Sequence, residues 1–310
     1  MRILRQLALA GALSFPAAPG LAQLVNDGAT NIISATANTV TGDLTVGTNG
    51  SQTALILTNG GEVDVSGNTI IGANAGSFSN SVSVGGAGAV LATTGNLYVG
   101  SNGWGNQMLI SAGGTVTDTI GYLGNASSNN IAVITGAGSV WSNTSDLNVG
   151  NNGSGNRVTV INGGKLFAAG FGDIGNGSSS GNNEVIVDGA GSVWTNLGTI
   201  YVGSAGSANR LTVTNGGRVR TSAAIEVGRA ANSSNNVAVI TGSGSIVSVG
   251  GSFRSGNSGS FNRVTVSGGG RVEDSTGYIG YIGSNNVAEI TGTGTLWTNS
   301  GTLTVGDTGS

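Results

Sequence analysis

The sequence predicts an all-β fold, a single-stranded parallel β-helix (β-solenoid) of about ten coils with three short strands in each coil. Three observations predict it: an asparagine recurs at steps of 23 to 27 residues, a glycine recurs in step with it, and apolar residues alternate within short runs. Repeats of this length, built from strand-forming and turn-forming residues, are typical of solenoids in which each repeat packs on its neighbours. The asparagines are Asn80, Asn106, Asn129, Asn156, Asn183, Asn209, Asn235, Asn262 and Asn285.

The first 22 residues have the pattern of a secretory signal peptide. Two arginines precede an apolar stretch from Leu7 to Ser14, and a small-residue cleavage site ends at Ala22. A membrane-spanning helix needs about 20 apolar residues, whereas this stretch is shorter and is followed by Pro16. We therefore expect an exported chain, in which residues 23–42 form an N-terminal cap or first coil.

Residues 43–310 carry the repeat, in units that begin near residues 44, 97, 147, 200, 253 and 303. Each unit has two related halves, so five units give about ten coils. Within a coil the apolar residues alternate, as at Val158 and Val160, which places one face of each strand inward. A β-propeller is the alternative fold, because blades also repeat about every 50 residues. The similarity between the halves counts against it, since a blade needs four unlike strands.

The recurring asparagine is expected to point into the solenoid. Alternation from Val158 and Val160 turns Asn156 inward, and a buried amide needs hydrogen-bond partners. Stacked asparagines can supply each other's donors and acceptors, as in cross-β ladders, so the sequence predicts an internal asparagine ladder. The alternative is that Asn and Gly serve only as exposed turn residues.

Composition excludes several classes of function. The chain has no Cys and no His, which removes thiolate metal sites and the commonest general base. Charged residues are only 8% of the chain, with no basic tract of the kind that binds phosphate backbones. We expect no catalytic residue, no cofactor, no metal site and no nucleic-acid partner.

Arginines and tryptophans recur with the repeat and are candidate glycan contacts. Three arginines spaced by 53 residues are expected to form an outward column with a pitch of about 9.6 Å, two coils of the solenoid. The tryptophans are expected to face outward too, because the residue before each of them should face inward. Duplication of a solvated residue is the favoured alternative for the arginines, and packing under a corner or against a neighbouring loop is the favoured alternative for the tryptophans. The candidates are Arg157, Arg210, Arg263, Trp141, Trp194 and Trp297.

Three segments carry a family resemblance: Glu226-Val-Gly228, Ser233-Ser-Asn-Asn236 and Gly138-Ser-Val-Trp-Ser-Asn143. They resemble the repeat associated with type V secretion and PEP-CTERM proteins, which occurs in the passenger regions of bacterial autotransporters. The resemblance covers about residues 43–310 and carries no catalytic motif. It implies a right-handed β-helix displayed at the outer membrane or released outside a Gram-negative bacterium.

The function expected from these features is a non-enzymatic surface stalk or adhesin, with surface glycans or the surfaces of host or neighbouring cells as partners. The sequence stops partway into a sixth unit, so its C-terminal end is expected to be truncated or uncapped. An outer-membrane barrel or anchor is then expected downstream. The alternative function is a polysaccharide-binding or polysaccharide-degrading β-helix protein. That class predicts a long loop rich in Asp, Arg or Lys within the repeats, and the sequence shows none.

Overall fold

The computed structural model describes residues 24–308, which form three parallel sheets wound into a solenoid. Each sheet has eleven strands, so these residues make eleven coils of three strands. This confirms the predicted all-β parallel solenoid, with one coil more than the ten or so expected. No helix occurs in this part of the chain, and hence none that is long and apolar enough to cross a membrane. The signal peptide predicted for residues 1–22 lies outside the described residues.

The strands are short and nearly uniform in length from coil to coil. The first four coils contain β1 (Thr30–Ser34), β2 (Ala37–Val40), β3 (Leu44–Val46), β4 (Ala54–Thr58), β5 (Glu62–Val65), β6 (Thr69–Ile71), β7 (Ser81–Gly85), β8 (Val90–Thr93), β9 (Leu97–Val99), β10 (Gln107–Ser111), β11 (Thr115–Asp118) and β12 (Gly121–Leu123). The next four contain β13 (Ile131–Thr135), β14 (Val140–Asn143), β15 (Leu147–Val149), β16 (Arg157–Ile161), β17 (Lys165–Ala168), β18 (Gly172–Ile174), β19 (Glu184–Asp188), β20 (Val193–Asn196), β21 (Ile200–Val202), β22 (Arg210–Thr214), β23 (Arg218–Thr221) and β24 (Ile225–Val227). The last three contain β25 (Val237–Thr241), β26 (Ile246–Val249), β27 (Ser252–Ser255), β28 (Arg263–Ser267), β29 (Arg271–Asp274), β30 (Thr276–Ile279), β31 (Val287–Thr291), β32 (Leu296–Asn299) and β33 (Leu303–Val305).

Successive coils lie in register on one another. Coil 1 consists of β1 to β3 and coil 11 of β31 to β33, and the first, second and third strands of each coil form the first, second and third sheets. In the first sheet, for example, Arg157 of β16 pairs with Glu184 of β19. Parallel pairing stacks equivalent residues in columns about 4.8 Å apart, so eleven coils make a rod about 50 Å long.

The core fills the lumen of the solenoid because inward and outward residues alternate along each strand. In β16, Val158 and Val160 are fully buried, while Arg157, the first residue of the strand, points to solvent. Nine of the eleven strands of the third sheet have only three residues, with the outer two inward and the middle one outward, as in Leu97, Tyr98 and Val99. Each coil therefore buries several apolar side chains that no single coil could cover alone.

Left-handed backbone conformations at the corners explain much of the unusual composition. Between the first and second sheets of coil 6, Asn162 and Gly163 have φ values of 54° and 84°. Only glycine and, to a smaller extent, asparagine adopt this region readily. A corner of this kind recurs in coil after coil, so Gly and Asn are enriched without any loss of order.

The two ends of the described residues differ in how the core is covered. Val25 is buried against the first coil, and the Asp27 carboxylate accepts hydrogen bonds from the backbone N–H groups of Thr48, Asn49 and Gly50. In coil 11 the inward-facing side chains contact coil 10 on one side only. Leu303 there is 51% exposed.

Candidate functional site

A continuous ladder of asparagines runs through the interior beside the start of the first-sheet strands. Both the backbone N–H and the side-chain amide of Asn156 donate to Oδ1 of Asn183 in the next coil, each at 3.0 Å. The same pair of bonds links each member to the next. The ladder consists of Asn80, Asn106, Asn130, Asn156, Asn183, Asn209, Asn236, Asn262 and Asn286.

Three of the predicted ladder residues are wrong by one position. Asn129, Asn235 and Asn285 are exposed and have φ values of 60°, 58° and 56°, which marks them as corner residues. The asparagine that follows each of them occupies the ladder instead. The physical reason is strand phase: the ladder position lies two residues before the first buried residue of the strand, and only the second asparagine of each pair does so.

A glycine column provides the space for the ladder. Gly150 has φ of 75°, and a Cβ added to it would lie 2.2 Å from Nδ2 of Asn183. Nine glycines stand in this relation, one for each ladder asparagine. Any larger residue would therefore displace the amide that the following coil needs, because side chains cannot share this volume.

The tryptophans face the interior, which corrects the prediction that they point outward. Trp141 and Trp194 are fully buried, and Trp297 in the last coil is partly buried. The inward phase of β14 is set by the turn residue Ser139, which is fully buried and donates to the Thr135 carbonyl at 2.7 Å. Because side chains alternate along a strand, Trp141, two residues after Ser139, also points inward. The buried tryptophans therefore cannot stack on an external glycan.

A carboxylate in the preceding coil satisfies one of these indoles. Trp141 Nε1 donates to Asp118 Oδ2 at 2.7 Å, and Asn143 Nδ2 donates to Asp118 Oδ1 at 2.8 Å. Burial raises the pKa of Asp118 to about 7, against the lowering effect of these two hydrogen bonds. Asp274 repeats the arrangement with Trp297 and Asn299, and burial raises its pKa as well.

The predicted arginine column is exposed, but carboxylates lie beside it. Glu184 stands in the coil between Arg157 and Arg210, and its two oxygens lie 3.4 and 3.6 Å from their respective Nε atoms. Arg263 pairs with Glu289 of the last coil. Exposed pairs of this kind contribute little to stability, yet the two carboxylates offset two of the three positive charges of the column. It is therefore a poor match for an acidic glycan.

All five tyrosines lie along the outer side of the third sheet or in the turn that follows it, an alignment that sequence reasoning missed. Four of them are the outward middle residues of their strands, and the fifth, Tyr281, contacts Tyr278 with ring centroids 5.1 Å apart. We call the outward column of the third sheet in coils 3 to 10 the tyrosine face. It consists of Tyr98, Tyr122, Asn148, Asp173, Tyr201, Glu226, Arg254 and Tyr278.

The middle of the tyrosine face holds a nearly buried carboxylate. Asp173 is 8% exposed, and its Oδ1 has no hydrogen-bond partner among residues 24–308. Burial raises the pKa of Asp173 to about 7, opposed by Arg229 and Ser204 and reinforced by Asp146. In the next coil the ring of Tyr201 lies under the guanidinium of Arg229, whose Cζ is 4.5 Å from the ring centroid.

Two shallow grooves run along the corner between the second and third sheets. One of about 520 Å³ spans coils 7 to 11, and one of about 330 Å³ spans coils 1 to 4. Hydroxyls in both already donate to backbone carbonyls, such as Thr221 to Gly198 and Thr94 to Ser66, each at 2.6 Å. The grooves therefore offer fewer free donors than their composition suggests. No cluster of three or more acidic residues suited to a metal ion occurs in residues 24–308.

Comparison with known proteins adds little to this geometry. No protein-family model matches the chain, and no curated protein matches it. Among solved structures, the chain is similar to the crystal structure of a TibC-catalysed, hyper-glycosylated TibA fragment. The two share 16% identity and a TM-score of 0.37 over 90% of this chain and 96% of that one. A likeness this weak carries no argument about function, and membership of the type V secretion and PEP-CTERM repeat family stays a prediction.

Proposed function

We propose that the chain is a passenger-like region of an exported bacterial surface protein, a stiff stalk with an adhesive side and no catalytic activity. The observation that carries the proposal is the unbroken register of eleven coils, nine of which contribute a residue to one asparagine ladder. Such a rod holds equivalent side chains at a fixed pitch along its length. Weak contacts repeated at a fixed spacing bind with much higher avidity than any one of them.

The winding of the rod is proposed to be right-handed. Every coil connects two parallel neighbouring strands of the same sheet, and such connections are right-handed in nearly all known folds. Circular dichroism of the purified chain should give a β-type spectrum. Small-angle scattering should give a rod rather than a sphere, and a globular scattering profile would contradict the stalk.

The absence of catalysis is proposed from where the perturbed carboxyls lie. Catalytic groups need a cleft in which an acid, a base and a substrate meet. Asp118 and Asp274 have raised pKa values, but Trp and Asn side chains in the lumen hold both carboxyls, although Asp274 also borders the larger groove. Asp173, whose pKa is raised as well, lies on the outer face of the third sheet and lines neither groove. No polysaccharide should be cleaved by the chain, which reducing-end assays on neutral and acidic polysaccharides would check.

Surface display is the part of the proposal that a cellular experiment can decide. Antibody raised against the purified chain should label intact, unpermeabilised cells of the source bacterium. A cytosolic protein labelled only after permeabilisation is the control. Label confined to permeabilised cells would show that the chain is not a surface protein, whatever its shape.

A further inference from the structure

The starting point is a turn between the first and second sheets that occurs three times as the dipeptide Asn-Gly. Asn59-Gly60, Asn162-Gly163 and Asn215-Gly216 follow β4, β16 and β22. In each pair both residues have φ values between 49° and 88°, and the asparagine is exposed. The three turns share sequence, backbone conformation and contact with solvent, so a difference in their chemistry must come from their neighbours.

An Asn-Gly pair can react with itself, because glycine has no Cβ to shield its backbone nitrogen. That nitrogen attacks Cγ of the asparagine and forms a new C–N bond, which closes a succinimide ring. The bond from Cγ to the side-chain amide nitrogen breaks, and ammonia leaves with the proton that the glycine N–H gives up. Water then adds to either carbonyl of the ring, and ring opening gives aspartate or isoaspartate. The reaction therefore needs a glycine nitrogen and a side-chain amide that are free to move.

A buried serine of the next coil holds the glycine nitrogen in two of the three turns. Gly163 N–H donates to Ser192 Oγ at 3.1 Å, and Gly216 N–H donates to Ser245 Oγ at 3.0 Å. Both serines are fully buried. Closing the succinimide ring in either turn would first have to break this hydrogen bond.

The third turn, Asn59-Gly60, lacks this restraint. Ala89, fully buried and without a hydroxyl, takes the place of the serine, and the Gly60 N–H has no hydrogen-bond partner among residues 24–308. The side-chain amides of Asn162 and Asn215 also donate to the preceding coil, at 3.0 and 2.8 Å. The side chain of Asn59 makes no hydrogen bond within the same described range. Both reacting groups are thus unrestrained only in this turn.

Four more Asn-Gly pairs lie in the turns between the third and first sheets, and their glycines are held as well. The asparagines of these pairs are Asn49, Asn102, Asn152 and Asn176. In three of the pairs the glycine N–H donates to an oxygen of an earlier residue, at 2.7 to 3.1 Å. In the remaining pair Gly153 is buried, and a Cβ added to it would lie 1.7 Å from the Ser127 carbonyl oxygen. A Cβ added to Gly60 would meet no atom within 4 Å.

We propose that Asn59 is a site of spontaneous deamidation, the first of the seven Asn-Gly pairs to convert to aspartate and isoaspartate. The turn between β4 and β5 then gains one negative charge, and the isoaspartate product carries the backbone through one additional carbon. The proposal concerns the chain itself and does not depend on an adhesive role for the rod.

The test is peptide mapping by mass spectrometry of the folded chain during incubation at pH 8. Asn59 should convert at least about fivefold faster than Asn162 and Asn215, because each of those turns has two hydrogen bonds to break. The three sites are compared within one molecule, so this measurement needs no variant. Equal rates at the three sites, or a faster rate at any other Asn-Gly pair, would overturn the inference.

Two variants exchange the restraint between turns. Ala89→Ser supplies the missing hydroxyl and should slow the reaction of Asn59 about two- to tenfold, as expected for one neutral hydrogen bond. Ser192→Ala should accelerate Asn162 by a similar factor and leave Asn215 unchanged. Melting curves of both variants establish that the incubated chains are folded. A folded Ala89→Ser variant in which Asn59 reacts as fast as in wild type would overturn the inference.

Discussion

Coils 4 and 5 and coils 6 and 7 contain two copies of one internal site, and only the first copy has a carboxyl group beside the tryptophan. In the first copy Asp118 accepts from Trp141 and Asn143. In the second, Ala168 takes the place of the aspartate, and Trp194 Nε1 has no partner within residues 24–308. The indoles are fully buried in both copies. The comparison shows that both copies bury the tryptophan in the same place, but only the first gives its indole N–H a hydrogen-bond partner.

The shape that both copies share is a glycine set against the tryptophan ring. A Cβ on Gly121 would lie 2.7 Å from Trp141 Cζ2, and one on Gly172 would lie 2.6 Å from Trp194 Cζ2. In coils 8 and 9 the larger residue is on the third sheet instead: Ile225 takes the place of the glycine, and Val247 takes the place of the tryptophan. Large and small residues thus exchange places between neighbouring strands, as expected when total core volume must be conserved.

The largest effect should come from breaking the volume match in coils 6 and 7. Trp194→Val should lower the free energy of unfolding by about 3 to 5 kcal/mol, the range for removing a large aromatic side chain from a core. Adding Gly172→Ile to it should restore more than half of the loss, because the pair then reproduces Ile225 and Val247. Urea denaturation of the two single variants and the double variant measures this. Gly172→Ile alone is the control and should destabilise by overpacking; simple additivity of the two losses would contradict the match.

The next largest effect is a pH dependence of stability that the first copy has and the second lacks. The folded pKa of Asp118 is raised from 3.8 to about 7, so the folded state holds a proton that the unfolded state has released. Stability should therefore be highest near pH 4 and should fall as pH rises through 7, by a few kcal/mol at about 1.4 kcal/mol per pKa unit. Asp173 and Asp274 act in the same direction.

Asp118→Asn isolates the contribution of this one group. The Asn143 side chain can turn its Oδ1, unpartnered within residues 24–308, toward the new amide. Melting temperatures from pH 4 to pH 8 should then vary less than in wild type, with the gain at pH 8. An unchanged profile would show that Asp118 titrates normally. Burial is the largest single effect on Asp27 and raises its pKa, but three backbone hydrogen bonds together outweigh it, so the pKa is lowered and Asp27 affects stability only at the acidic end of this range.

The asparagine ladder runs past both copies. Replacing each of two adjacent asparagines in turn tests which of them belongs to it. Asn130→Gly should cost more than Asn129→Gly by about 1 to 3 kcal/mol for each buried donor left unsatisfied. The donors at risk are the backbone and side-chain N–H groups of Asn106, which bond to Asn130 Oδ1. The backbone cost of glycine differs between the two positions, because Asn129 has φ of 60°, which glycine adopts readily, and this adds at most about 1 kcal/mol to the difference. Equal melting temperatures would place the ladder elsewhere.

The period of the repeat predicted the fold because columns of identical residues can form only if coils stack in register. The period alone could not show which of two adjacent residues points into the lumen. At Asn182 and Asn183 the second residue of the pair is in the ladder, and the same offset to the strand would have selected Asn130 over Asn129. The signal was therefore present in the distance to the first buried valine or alanine, rather than in the spacing between asparagines.

The predicted orientation of the second-sheet strands is wrong for a related reason. Val140 was expected inward because it is apolar, yet it pairs with Lys165 of the next coil, which is exposed. Aligning the two halves of the unit would have placed Trp141 with the buried Leu166. The tyrosine face could be predicted in part, since the middle residue of each three-residue strand lies on the outer side of the sheet. The burial of Asp173 within that face could not, because it depends on how the side chains of the neighbouring coils pack over it.

The smallest effect should come from making the second copy like the first. In Ala168→Asp the introduced carboxyl, while protonated, can accept from Trp194 Nε1 and donate to Asn196 Oδ1, two buried atoms without partners within residues 24–308. Each neutral hydrogen bond is worth about 0.5 to 1.5 kcal/mol net, so melting at pH 5 should rise slightly. At pH 8 the gain should vanish, because a buried carboxylate loses solvation. Ala168→Asn, which offers the same donor and acceptor without a charge, should keep its gain at both pH values. A loss of stability in both variants at both pH values would mean that the space beside Trp194 is closed, and the two copies would then differ in packing as well as in charge.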